Sequence, residues 1–179
     1  MKRLFLITAL MLLAVALFAQ PAASKTIGTL KTLDGTEVRI DANSMGSFLL
    51  YVKDDFSFVS KDAVERFTKT LDVISQGMKD ITALNLDISE NRYVTTISSA
   101  NSRDMSSSQI TFTYRINTVQ KGVVVSIRFA YRPLELVLDQ AGLDALRDFI
   151  SKGNAQISTY SDQYGKLEQI IARIRGTLG

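Results

Sequence analysis

Two helical stripes and several short alternating runs divide the chain. Val64, Phe67, Leu71, Ile74, Met78 and Ile81 recur at spacings of 3, 4, 3, 4 and 3. Those spacings gather all six on one side of a helix and cannot place them on one face of a strand, so an amphipathic helix is predicted. Ser60 stands where an N-cap is wanted, with Val59 and Val64 placed for a hydrophobic staple. A second stripe runs through Leu143, Leu146, Ile150, Gly153, Ile157, Tyr160, Tyr164, Leu167, Ile171 and Ile174 without losing phase. Gly153-Asn154 and Gly165 are its weak points, and a kink near Gly153 is one expectation.

Strand patterns fill the rest. Ile27 to Leu33 and Glu37 to Ile40 flank Asp34-Gly35, a hairpin-turn pair. Ser47 to Lys53 is an apolar run, and Phe56 and Phe58 alternate with polar neighbours after it. Residues 85 to 109 read as polar and irregular apart from a short strand at Arg92 to Ile97. The clearest pair follows. Ile110, Phe112, Tyr114 and Ile116 alternate with polar residues, and Val123, Val125, Ile127, Phe129 and Tyr131 do the same beyond a turn ending at Gly122. A turn of even length puts the two apolar rows on one face, and four residues, Val119 to Gly122, is the preferred length. Leu134, Leu136 and Leu138 supply a short last strand. The predicted fold is α+β, an antiparallel sheet with two long amphipathic helices packed on one face.

Sliding the chain against itself by 76 residues gives an ungapped match with eight identities in forty-six positions from Thr36 to Ile81. Asp72-Val73-Ile74-Ser75-Gln76-Gly77 falls on Asp148-Phe149-Ile150-Ser151-Lys152-Gly153. A duplicated strands-then-helix unit and two convergent units both fit this match.

The N-terminus changes the picture of where the protein works. Met1-Lys2-Arg3 precedes an uncharged apolar run from Leu4 to Ala19, then Pro21 and the small residues Ala22-Ala23-Ser24. This is the pattern of a secretory signal, so residues 1–24 are expected to be removed and 25–179 to form one α+β domain, periplasmic or secreted. The competing reading is an uncleaved anchor, but sixteen helical residues reach only ~24 Å against a hydrocarbon core of ~30 Å. No membrane span is expected after signal removal. Of the 21 Lys+Arg, two belong to the signal, leaving nineteen against 18 Asp+Glu. Without a basic run or stripe, nucleic acid is not an expected partner.

The chain has no cysteine, histidine or tryptophan. Disulfides, thiolate nucleophiles, Ser-His-Asp triads and His/Cys zinc sites are therefore excluded. No phosphate-binding glycine loop or serine-nucleophile motif occurs. Asp87-Ile88-Ser89-Glu90-Asn91 alternates oxygen ligands but lacks the glycine and bidentate glutamate of a calcium loop. No catalytic residue, metal or cofactor is assigned.

The leading expectation is an exported non-enzymatic protein that binds a ligand or an envelope or extracellular partner. The alternative is a small extracytoplasmic hydrolase using a carboxylate pair, for which Asp54-Asp55 is the most conspicuous candidate. Arg115 and Arg128 fall on the polar face of the central hairpin and suit a small anionic ligand, with Arg39 able to join them. An acidic neighbour such as Glu37 would instead make the pair structural. The C-terminal helix is the expected surface for a protein partner or self-association, because thirty-two residues from Leu143 to Ile174 would overhang a domain of this size if straight. Tyr160 and Tyr164 read as core residues or as part of a ligand-facing or partner-facing patch.

Overall fold

The computed structural model describes residues 24–100, 107–117, 122–131 and 133–178. Apart from Ser24, the expected export signal lies outside these residues, as do 101–106 of the expected loop and most of the expected turn before Gly122. In chain order the elements are β1 (Ser24–Lys31), β2 (Glu37–Asn43), β3 (Phe48–Val52), β4 (Asp55–Val59), α1 (Lys61–Ala83), β5 (Glu90–Ala100), β6 (Ser107–Asn117), β7 (Gly122–Phe129), β8 (Leu134–Leu138) and α2 (Gln140–Leu178). The class is α+β, as the periodicities predict.

The strands divide into two sheets where one was expected. Each is an antiparallel meander, β1-β2-β3-β4 and β5-β6-β7-β8. Tight turns build the first. Gly35 at φ 87° and Gly46 at φ 85° take the left-handed backbone that a side chain resists. The split follows from α1, which carries the chain away from β4, so that β5 pairs with β6 alone.

The helices explain why two sheets make one core. The helix α1 packs against β5 and β7, whereas α2 packs against β1 and β2. Each helix therefore covers the sheet of the other half of the chain. A continuous cluster results, with Phe67, Leu71, Ile74 and Met78 of α1 and Leu143, Leu146 and Ile150 of α2 buried between Ile40, Phe48, Phe112 and Ile127. Glycines permit the closest approaches. Gly77 lies under the Tyr114 hydroxyl and Gly153 under the Phe48 ring, so closely that a Cβ at either position would overlap the aromatic group. Tyr114 completes its contact by donating to the Ile74 carbonyl at 2.9 Å. Gly77 and Gly153 are matched positions in the 76-residue offset, and each receives a ring from the other half.

The two helices lie side by side in opposite senses, held by polar contacts as well as by the core. Arg147 donates to Asp72 at 2.8 Å through Nε, Ser75 donates to Asp144 at 3.1 Å, and Gln140 donates to Ser75 at 2.7 Å.

Four local expectations need correction. α2 continues through Gly153 without a break, and Phe48 fills the space a side chain there would need. Strand β5 reaches Ala100, although Ser98-Ser99 read as loop, because buried Ser99 accepts from the Ser60 N–H at 2.8 Å. Ser60 is at the N-cap of α1, yet its side chain makes no capping bond and its hydroxyl is buried without a protein partner. The β6–β7 register pairs Asn117 with Gly122, so Gly122 opens β7 and the four residues between the strands are 118–121, not Val119 to Gly122. The even length survives, and both apolar rows face the core.

Candidate functional site

Three places outside the core bring chemistry-bearing residues together. The first is the polar side of β6, β7 and β8. Arg115 and Arg128 were expected to be diagonal neighbours, but the register pairs Arg115 with Val124 and Arg128 with Thr111, setting them further apart. Glu135, opposite Arg128 on β8, lies between them. Its Oε1 accepts from Arg115 at 2.5 Å and from the Ser126 hydroxyl, and meets Arg128 at 3.5 Å. The Ser126 hydrogen bond, opposed by partial burial and aided by the two guanidinium charges, holds the Glu135 carboxyl below the ordinary glutamate range. An internal carboxylate thus closes the arginine pair, and it is Glu135, not Glu37. Arg39 does not join this face. It sits on β2 in the other sheet, bonded to Asp41 at 3.2 Å and stacked over Tyr51 at 4.3 Å.

Glu135 was legible in principle. In Leu134-Glu135-Leu136 it is the residue that alternation turns away from the core, onto the same face as Arg128. What the sequence does not disclose is that β8 lies beside β7, which alone brings them together.

The second place is an open cleft of about 690 Å³ between the outermost strands of the two sheets, β4 and β8. Leu50, Val52, Phe56 and Leu134 line it together with Asp54, Asp55 and Glu135. Lys53, also in the lining, takes φ 54° in the two-residue β3–β4 turn. Asp54 and Asp55 are therefore beside a cavity, but the third carboxylate is already bonded to Ser126 and Arg115. Among the described residues no group of three acids or other ligating side chains could hold a metal ion. Glu90 of the calcium-like segment is paired with Arg92 at 2.7 Å.

The third place is the C-terminal half of α2. Past Ile157 the helix leaves the core cluster, and Leu167, Ile170 and Ile174 are 49%, 51% and 48% exposed. At the point of departure lies a groove of about 450 Å³, lined by Lys61, Val64 and Thr68 of α1 and Asn154 and Ile157 of α2. Tyr160 and Tyr164 belong to this helix, and their side chains lie outside the described residues. Among the described residues no helix is long and apolar enough to cross a membrane.

No family model matches the chain, and no curated protein matches it.

Proposed function

We propose that this is an exported, non-enzymatic protein that works by binding another macromolecule through the uncovered end of α2. The observation that carries the reading is a 39-residue helix whose apolar stripe continues beyond the core that covers its first half. At ~1.5 Å per residue, the twenty-one residues after Ile157 extend about 30 Å. Covering Leu167, Ile170 and Ile174, each already about half buried, would contribute roughly 1 kcal/mol apiece. Contact with another molecule would supply such a gain, since among the described residues from 169 to 176 all but the partly buried Ile171 are exposed. The N-terminal pattern supports export, and N-terminal sequencing of the accumulated protein should find a start between Gln20 and Lys25.

The hydrolase alternative has the cleft in its favour, because Asp54 and Asp55 line it. Against it, Glu135 is held ionised by its donors and is poorly suited to give up a proton near neutral pH. A small anion at Arg115 and Arg128 belongs to the proposal in a reduced form, since it would have to compete with Glu135. Cross-linking in the native compartment tests the main reading. A higher-mass band that disappears in Leu167→Glu/Ile174→Glu is expected, and an unchanged band pattern would remove the helix end from consideration.

A further inference from the structure

We infer that the surface each half of this chain presents to the other also takes the matching half of a second copy, giving a dimer in which the first half of one copy packs on the second half of the other. The end of α2 stays uncovered in that dimer, so this contact is separate from the one proposed above.

The occupant is identified by what already sits on the surface. The helix α1 lies on β5 and β7 and α2 lies on β1 and β2, so each half is closed by an element of the other. The first half, ending with α1, and the second, beginning with β5, are joined covalently only through residues 84–89. Every contact between them can therefore re-form between copies. Phe67 meets the Phe112 ring at 5.9 Å, Tyr114 reaches the Ile74 carbonyl, and the Leu33 N–H donates to the Val137 carbonyl at 3.0 Å, whichever chain supplies each half. Only the joining segment has to change. Exchange of this kind builds no new core, which makes it a low-cost route to a dimer.

The joining segment supplies the second, independent observation. Leu84, Leu86 and Ile88 alternate with Asn85, Asp87 and Ser89, the period of a strand. In the single chain this segment is a turn and an irregular stretch, with all six residues exposed. Its three apolar side chains are 65%, 39% and 40% exposed. Asn85 sits in the turn at φ 47°, a left-handed backbone that asparagine tolerates better than most residues. Straightened, the segment runs directly into β5, which begins at Glu90. Two straightened segments crossing antiparallel about a two-fold axis at Leu86 set Leu86 against Leu86 and Leu84 against Ile88, with Asn85 facing Asp87. One side of the ribbon is then apolar and the other polar, and a slip of one residue would mix them. The contact is isologous and closes on itself.

Concentration decides between the two forms. A short flexible link holds the halves of one chain at an effective concentration of about a millimolar, so the closed monomer prevails in dilute solution. The full chain refolded from urea at about 500 µM should place on the order of a third of its molecules in the dimer, and almost none at about 1 µM. Because separation requires the shared core to open, the dimer should survive dilution until it is heated through its thermal transition. Sedimentation reads both results. Monomer alone after refolding at the higher concentration would overturn the exchange.

Phe67→Asp and Phe112→Asp test which halves meet. Each puts a charge at a fully buried position and should be unfolded alone. Refolded together they should recover a cooperative thermal transition, since one variant supplies an intact first half and the other an intact second half. A mixture that stays unfolded would overturn the exchange as well. Leu86→Asp should keep the circular dichroism of the monomer and lower the dimer fraction several-fold, because two carboxylates then meet at the axis. An unchanged fraction would overturn the paired segment. Leu167→Glu/Ile174→Glu should leave the dimer fraction as it is. Loss of the dimer in that variant would assign it to α2, overturning the exchange and leaving the contact proposed above in place.

Discussion

Gly77 and Gly153 show how much can rest on one missing carbon. In a helix interior alanine is normally favoured over glycine by about 1 kcal/mol. At these two positions the preference should reverse, because a methyl group would overlap Tyr114 or Phe48. Gly77→Ala and Gly153→Ala should each lower stability in urea by about 1–3 kcal/mol, the usual range for overpacking. Gly165 has nothing within 4 Å of where a Cβ would stand, so Gly165→Ala should raise helical content without lowering the urea midpoint. The sequence marked Gly153 and Gly165 only as weak points and did not single out Gly77 at all. Which of them a ring covers depends on the other half of the chain, and local pattern carries no such information.

Glu135 gives a residue-scale test with a defined sign. Its folded pKa is depressed, first by Ser126 and then by Arg115 and Arg128. The stabilisation is therefore present above the unfolded value, ~4.3, and is lost as pH falls through the folded one. With a third of the side chain exposed, about 1 kcal/mol or less is involved. Urea titrations from pH 7 down to pH 3 should show this loss in the wild type and a flatter profile in Glu135→Gln. Equal slopes in the two proteins would mean the cluster contributes nothing. Arg115→Gln should cost more than Arg128→Gln, since the Arg115 contact is 2.5 Å and the Arg128 contact 3.5 Å.

Among the elements, those with strong apolar period were legible and those stabilised by polar contacts were not. Residues spaced 3 and 4 apart specify α1 and α2, and alternation specifies β6 and β7 to the correct face. Strand β5 is the instructive miss. Its Thr and Ser side chains bond sideways, Thr96 to Thr111 at 3.0 Å and Ser99 to the Ser60 N–H, so no hydrophobic alternation announces its ends. The start of α2 was missed by three residues for a similar reason. Asp139 caps it by accepting from the Gly142 N–H at 2.8 Å, ahead of the first apolar position.

The two halves of α2 should differ in exchange behaviour. Leu143, Leu146 and Ile150 are fully buried, so amides near them should exchange only on global unfolding. Beyond Ile157 none of the described residues belongs to the core cluster, and exchange there should be orders of magnitude faster in dilute solution. Mass-resolved hydrogen exchange along α2 checks this. Uniform protection from Gln140 to Leu178 would contradict the division of the helix into a covered and an uncovered half.

For the molecule as a whole, crossed packing means that neither half completes its own core. Sheet β1–β4 lacks its cover without α2, and sheet β5–β8 lacks its cover without α1. Thermal unfolding followed by tyrosine fluorescence and by far-ultraviolet circular dichroism should therefore coincide in one transition. A fragment ending at residue 86 should not fold alone. Two separable transitions would show that the halves are independent. The α+β class could be read from the order of patterns, but the crossing could not, because strands-then-helix twice over is equally compatible with each helix lying on its own sheet. The candidate sites divide in the same way. The helix end was legible, since length and period are local, while the role of Glu135 and the cleft between β4 and β8 depend on how the sheets meet.

The approach of Phe48 to Gly153 also bears on when the fold can form. About a hundred residues separate the two positions, and Gly77 reaches Tyr114 across nearly forty. Contacts of such sequence separation are closed late and slowly, because the intervening chain must be ordered first. As the ribosome delivers the chain, the first sheet waits uncovered until α2 has been made. On the export reading proposed above, the chain would have to stay threadable until it reaches the membrane, and a topology that cannot close before its last helix exists favours that delay. Refolding from urea should accordingly be slow for a chain of this length, with a rate that Gly153→Ala reduces further.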